Sequence, residues 1–521
     1  MFDMAMTTAD IVVFACYCVS LIAVAWWVSR EKAGHEKNSS DYFLASNALP
    51  WWAIGSSIIA ANISAEQIIG MSGSGYAIGL AIASYEWMAA ITLIVVGKFF
   101  LPIFIEKKIY TMPQFLEQRF DGRVQIVMAF FWLAVYTFVN LTAVLYLGAL
   151  AIKTITGIEM LHGMIFLAVF SVAYSLYGGL KAVALTDIIQ VILLVFGGLL
   201  VSYLALDRLS DGAGVIAGFN TLLERTPESF DMILSSDHED YVSLPGISVL
   251  IGGMWVMNIS YFGFNQYITQ RTLAAKNLRE AQKGIVFAAF LKLLMPLIVV
   301  LPGIAALVLV PGLDRPDQAY PEMMKLVPAG LLGLTFAALV AAIASSLASM
   351  ANSISTIFTL DIYRKLVAQS PSEQQLVVVG RIAAATALVV AMIIAEPLLG
   401  KLEQAFQYIQ EFTGFFTPGV VAIFILGFFY KKANANSALV AGIGSVVLSL
   451  LARLFWPELP FMDRVGLVFL ACLGLGVLVA GKDNDAKAID LNGIDFSTSR
   501  GANTSALSIS LILAALYVAW W

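Results

Sequence analysis

The chain has 521 residues, 60% of them hydrophobic and 12% charged, and a formal net charge of −5. Soluble domains carry roughly 25% charged residues, so these values exclude a soluble globular enzyme, and no basic cluster exists to hold nucleic acid. Apolar runs long enough to cross a bilayer, about 20 residues at helical rise, recur from end to end, and no series of alternating ten-residue segments suggests a β-barrel. The class is an all-α integral membrane protein.

Fourteen apolar runs read as spans, near 8–29, 49–73, 80–105, 124–151, 161–177, 183–206, 245–269, 284–311, 329–360, 376–396, 404–429, 436–453, 465–481 and 505–521. The first ten residues carry Asp3 and Asp10 and no basic residue. A signal peptide needs a positive n-region, so the first span is expected to stay in the mature protein. With fourteen spans both termini share a side. Twenty lysines and arginines fall in loops of one side, among them Arg30, Lys32, Lys37, Lys108, Arg119, Lys181 and Arg271, against eight on the other. Under the positive-inside rule both termini then face outward. The acidic 207–244 loop reads as an outer cap. Cys16, Cys18 and Cys472 lie in apolar runs, and His35, His162 and His238 are scattered, so neither set implies a disulfide or a metal centre.

Polar groups at membrane depth are expensive and carry the functional information. The second span holds Ala60-Ala61-Asn62-Ile63-Ser64-Ala65-Glu66-Gln67 followed by Gly70, Gly73 and Gly75; the seventh holds Asn258, Ser260, Tyr261, Gly263, Asn265 and Gln266. Both read as interrupted helices lining a cavity, at equivalent places in two halves of opposite orientation; ordinary helices packed through small residues are the alternative. Lys292 lies about 13 Å into its helix beyond Lys283, where a solute-facing role competes with snorkelling, the reading that suits Lys98. Glu86, flanked by Tyr85 and Trp87, is a site residue or part of an aromatic belt. Gln410 and Glu411 interrupt the eleventh span. In the ninth, Ala341–Ser349 continues to Asn352 and Ser353, either a packing stripe or a source of hydroxyls for sodium. Asp187 would add distant negative charge.

These residues resemble the sodium:solute symporter family, most closely its sodium-driven galactose and glucose carriers, through AANISAEQIIGMSGSGYAIGLAIASYEWM, GFNQYITQRTLAAK, AQKGIVFAAFLK, SSLASMANS and QAFQYIQEFTG. The resemblance weakens at 207–244, at 312–325 and beyond 480. It implies a LeuT-type core, a five-plus-five inverted repeat with two broken helices and extra helices at both ends. Residues 1–48 would form an N-terminal helix and inner loop, 49–207 the first repeat, 208–244 an extracellular loop, 245–430 the second repeat, and 431–521 three further helices. It further implies sugar contacts at Gln67, Glu86, Asn258, Lys292 and Gln410. An outer gate would consist of Met71, Tyr85 and Phe406, with Tyr261 as inner gate. A sodium ion would sit among the carbonyls of Ala60, Ile63 and Ala342 and the hydroxyls of Ser345 and Ser346, with Asp187 on the sodium path. Galactose carriers have a serine where this chain has Ala89, which puts the preferred sugar in question.

The implied function is coupled uptake of sodium and a neutral hexose by alternating access, in the inner membrane of a bacterium, as a monomer or weak oligomer without nucleic-acid partners. A symporter for another small solute is the runner-up, and Glu86 speaks against anionic ones. No assembled nucleophile–base pair supports an enzyme, and the cation positions offer hydroxyls rather than a carboxylate for a proton.

Overall fold

Lipid offers no water to backbone amides, so a chain this apolar must close its hydrogen bonds within helices. The computed structural model describes residues 6–29, 49–107, 109, 111–175, 179–367, 371–402, 404–482 and 484–521. The expected 30–48 loop, with Arg30, Lys32, His35 and Lys37, lies outside the described residues, as does Lys108. Each of the fourteen apolar runs contains helical backbone, and no strand occurs among the described residues. Among the described residues nine helices are long and apolar enough to cross a membrane, and Ala405–Thr413 with Thr417–Phe429, bent by 41°, makes a tenth. The remaining runs are two shorter apolar helices, beginning at Thr8 and Met160, and the two interrupted ones.

Both interruptions are real, and local chemistry explains them. Helix Trp51–Asn62 stops because Ile63 leaves helical geometry at φ −73°, ψ 87°. The Ser64 amide then donates to Asn62 O at 2.9 Å, so the Ala60 carbonyl loses the donor a continuous helix would supply. Ser64 Oγ accepts from the Glu66 amide at 3.2 Å, a cap-like contact that restarts the chain as a π turn, Glu66–Gly70, and then as Met71–Ala77. The second interruption runs Gly253–Ile259, a π turn Ser260–Phe264, an extended Asn265, and Gln266–Leu273. π turns are rare and concentrate at functional sites. Here they reopen the backbone where the polar residues cluster.

The first broken helix packs on Leu278–Ile298 through two glycines. A Cβ on Gly55 would lie 2.7 Å from Gly284 O, and one on Gly284 2.8 Å from Ile54 Cβ. Such close approach is how membrane helices associate without a hydrophobic drive. It brings Lys292, two turns beyond Gly284, alongside Asn62.

Two charges taken as loop residues are buried instead. Arg119 donates to the carbonyls of Gly427, Tyr430 and Ala433 at 2.8–3.1 Å. Arg271 belongs to helix Gln266–Leu273. Neither can report sidedness as a loop charge, because each is held by internal acceptors.

The 207–244 segment contains helix Val215–Arg225 and two short 3-10 turns. It covers one end of the bundle: Phe230 packs on Trp520 at 5.3 Å, and the Met232 amide donates to Trp520 O at 2.8 Å. Three helices follow residue 431: Ala435–Phe455, Phe461–Leu478 and Arg500–Ala519. The last begins five residues before its apolar run, because Ser499 Oγ caps it by accepting from the Ala502 amide at 3.2 Å.

Candidate functional site

The two interruptions face a central cavity of about 90 Å³. Its charged centre is Lys292, 0% exposed, whose ammonium lies 2.6 Å from Glu86 Oε2, itself 2% exposed. The ammonium also donates to Asn62 Oδ1 and sits 5.3 Å from the Phe262 ring centroid. Snorkelling is thereby ruled out for Lys292, while Lys98 is exposed. Glu86 is an ion-pair partner rather than a belt residue. A buried pair of this kind costs several kcal/mol to desolvate and needs further hydrogen bonds to survive; Asn62 and the Phe262 face supply them.

Gln67, Asn258 and Gln410 line the same cavity, with Ala89 beside Glu86. Gln67 Oε1 accepts from Ser64 Oγ at 3.1 Å. Glu411, next to Gln410, turns away to Arg453 and Arg464 at 3.0 and 3.1 Å and takes no part. Met71, Tyr85 and Phe406 also line the cavity, the two rings meeting edge-on at 5.1 Å. So does Tyr261, whose hydroxyl accepts from Asn62 Nδ2 at 3.3 Å and from Tyr267 at 2.8 Å. Three buried polar atoms on the cavity wall have no hydrogen-bond partner among the described residues: Glu66 Oε1, Asn258 Nδ2 and Tyr85 OH. Unsatisfied buried groups cost about 1–3 kcal/mol each, which suits a surface meant to be satisfied by a ligand.

The expected cation positions lie on the first interruption and on helix Leu331–Ile357. Ala60, Ile63, Ala342, Ser345 and Ser346 are all buried. Ser346 Oγ donates to Ala61 O at 3.5 Å, joining helix Leu331–Ile357 to the first interruption. Ser345 Oγ is instead turned to Asp187, donating to Oδ1 at 2.8 Å. Asp187 is therefore no distant charge: it touches Ser345 directly, because helix Gly179–Leu209 packs on Leu331–Ile357 as well as on Trp51–Asn62. Ser57 Oγ donates to its other oxygen at 2.6 Å, and the Arg271 guanidinium stands 3.6 Å away. Arg271 also donates to Ser57 Oγ at 2.8 Å, to Ser349 Oγ at 3.0 Å and to Tyr267 O.

A family model described as the sodium:solute symporter family matches residues 42–444. This chain belongs to that family. The symporter is 50% identical to the sodium/glucose cotransporter of Vibrio parahaemolyticus over 98% of each chain. It is 34% identical to the human sodium/myo-inositol cotransporter over 85% of this chain and 66% of that one. Its fold matches a Na+-coupled sialic acid symporter in a substrate-bound, outward-open state, with a TM-score of 0.80 at 25% identity, over 93% of this chain and 100% of that chain. Sodium is the coupling ion of the family, and the symporter is a multi-pass membrane protein.

Sequence reasoning missed one wall of the symporter's cavity. Trp132, Tyr136 and Asn140 come from helix Gly122–Ala134 and the π turn Val135–Leu141, deep in a span that looked uniformly apolar. Tyr136 OH donates to Asn265 Oδ1 at 2.7 Å and so braces the second interruption. Asn140, an amide deep inside an apolar run, was the available signal.

Also missed was Asp317, in the loop between spans 278–309 and 331–367. It is 2% exposed, its Oδ2 accepts from the Ala405 amide at 3.2 Å, and its backbone presses on Gly73, where a Cβ would lie 2.8 Å from Asp317 N. It thus joins the helices that carry Met71 and Phe406. Burial pushes its carboxyl up to about 7, with the Ala405 amide and Arg315 acting the other way. The protonated form favours this packing, so its contribution is full below the ordinary value of 3.8 and is lost as pH rises through about 7. Asp317→Asn, which cannot titrate, should gain a few degrees of melting temperature relative to the parent protein between pH 5 and pH 8. A constant difference across that range would remove Asp317 as the titrating group.

Proposed function

We propose that the symporter couples inward sodium movement to uptake of a neutral hexose of the galactose or glucose type. The observation that carries this is the cavity's chemistry: an ammonium, two carboxylates and amides around one small space, with Glu66 Oε1, Asn258 Nδ2 and Tyr85 OH unpartnered. Ring hydroxyls both donate and accept, so one polyhydroxylated ring answers all three. The name of the Vibrio relative, a sodium/glucose cotransporter, supports the same class. Gln67, Glu86, Asn258, Lys292 and Gln410 are the sugar contacts in this reading. Met71, Tyr85 and Phe406 form the outer gate and Tyr261 the inner one. Ala60, Ile63, Ala342, Ser345 and Ser346 hold sodium, with Asp187 on its path. At about 90 Å³ the cavity is far below the roughly 300–1,000 Å³ of ligand pockets, so the sugar enters only when a gate parts.

Residues 49–207 and 245–430 act as the two opposed repeats, framed by the first helix and the three that follow 431, with 208–244 as the outer cap. The protein works in the inner membrane with both termini outside, as a monomer or weak oligomer, and it performs no catalysis. Purified protein in proteoliposomes should accumulate labelled galactose or glucose under a sodium gradient, with myo-inositol as a comparison. A membrane potential supplies about 2.3 kcal/mol per charge per 100 mV, or roughly 50-fold accumulation at one sodium per sugar. Equal uptake with choline in place of sodium would overturn the coupling.

Specificity is tested at Ala89, buried on the cavity wall one turn from Glu86. Ala89→Ser adds one hydroxyl, worth about 0.5–1.5 kcal/mol if it meets the sugar, so apparent affinity should change by up to about tenfold. The change should be confined to sugars with a hydroxyl on that edge. A uniform shift across deoxy analogues would place Ala89 away from the solute.

A further inference from the structure

Helix Arg500–Ala519 is pinned at both ends and touches the bundle between them along a narrow stripe. At its start Gln282 Nε2 donates to Ser497 O at 3.4 Å; near its end Tyr517 OH donates to Ser84 Oγ at 3.1 Å. Only Ile509 and Leu513 on this helix are buried. Beside that contact a groove of about 510 Å³ opens between it and helix Leu278–Ile298.

The two walls of the groove change polarity together. Along one helix the lining runs from Lys283 through Val286 and Phe287 to Phe290; along the other it runs from Ser499 and Ser505 through Ser508 to Ile509 and Ile512. One end therefore offers a half-exposed ammonium, paired only at 3.3 Å with Glu280, together with hydroxyls and the first amides of a 20-residue helix. Ser499 Oγ takes the Ala502 amide, and the amides before it lack intrahelical acceptors and favour an anion. The other end is hydrocarbon, with Phe290 49% exposed. Trp51, edge-on to Phe287 at 5.4 Å, sits at the polar end, the level at which tryptophans meet headgroups.

We propose that this groove is a binding site for an anionic glycerophospholipid. Its phosphate meets Lys283 and the start of the last helix, and one acyl chain lies along Phe290, Ile509 and Ile512. A zwitterionic headgroup would bring its own cation against Lys283, so the site selects a net negative charge. Because Lys292 stands nine residues beyond Lys283 on the same helix, an occupied groove braces the element that carries the central ammonium. The proposal rests on the membrane setting and not on the sugar reading.

The full-length protein, purified and exposed to phosphatidylglycerol or phosphatidylcholine with identical chains, is examined by native mass spectrometry for retained lipid. The parent protein should retain phosphatidylglycerol in preference. Lys283→Gln, at an exposed position, should weaken that retention about fivefold, the worth of one basic residue beside an anionic lipid, and leave phosphatidylcholine unchanged. Ser508→Trp, which fills the groove from its wall, should reduce both. Equal retention of the two lipids by the parent protein would overturn the proposal, as would retention unchanged in both variants. A dimer of the parent protein that Ser508→Trp dissolves would assign the groove to a second copy instead.

Discussion

Lys292→Ala is expected to abolish sodium-driven sugar uptake, by more than about a hundredfold. The substitution strands the Glu86 carboxylate in a dry site and removes the donor to Asn62 Oδ1. Breaking a buried pair from one side costs about 3–5 kcal/mol, which is about two to three and a half decades in an equilibrium. That cost alone would also destabilise the protein, so a second variant separates the two effects. Lys292→Ala combined with Glu86→Gln removes both charges and should restore most of the melting temperature without restoring uptake. Transport near the parent level in Lys292→Ala would retire the ammonium as a solute contact. Recovery of transport in the double variant would mean that the pair serves folding only.

The second large effect is expected at the Asp187–Arg271 pair. Arg271 is 1% exposed and Asp187 fully buried, and Ser57, Ser345 and Ser349 all bond to one or both. Arg271→Gln should cost about 3–5 kcal/mol by leaving the carboxylate without its cation, a clear fall in melting temperature. Asp187→Asn combined with Arg271→Gln removes both charges and should recover most of that stability. If Asp187 lies on the sodium path, the double variant still needs several-fold more sodium for half-maximal uptake, because Ser345 has lost the carboxylate it faces. An unchanged sodium requirement in the double variant would make the pair purely structural. The geometry has a mechanical consequence: Arg271 rides on the second broken helix, whereas Asp187 and Ser345 belong to two others. Relative movement of that helix therefore changes the charge balance around Asp187.

Much of this was legible in the residues before any coordinates. The polar run Asn62–Gln67 and its counterpart Asn258–Gln266 announced interrupted helices, because side chains that bond the backbone locally compete with the helical ladder. Ser64 does this, accepting from the Glu66 amide. The family motifs carried Gln67, Glu86, Lys292 and Gln410, which line the cavity, but not the wall of Trp132, Tyr136 and Asn140. Glu66 was read within the polar run yet left out of the site, and only its unpartnered oxygen on the cavity wall draws attention to it. Arg271 was misread for a physical reason: its immediate neighbours are polar, and local sequence cannot distinguish a loop from a helix buried by others.

The sequence by itself determined the membrane class, the helical runs, the two interruptions and the family, because each depends on local composition or on contiguous motifs. Hydrocarbon length sets how many apolar residues a span needs, and that requirement is met or missed within about 20 consecutive residues. The tertiary structure alone decided which polar groups pair. Glu86 and Lys292 are 206 residues apart, Ser57 and Asp187 are 130 apart, and Asp317 reaches Ala405 across 88. In the membrane interior an ionised group must find a partner, but nothing local says which one. That choice follows from close approaches such as Gly55 against Gly284, where the absence of two side chains lets one helix deliver its ammonium to the break in another.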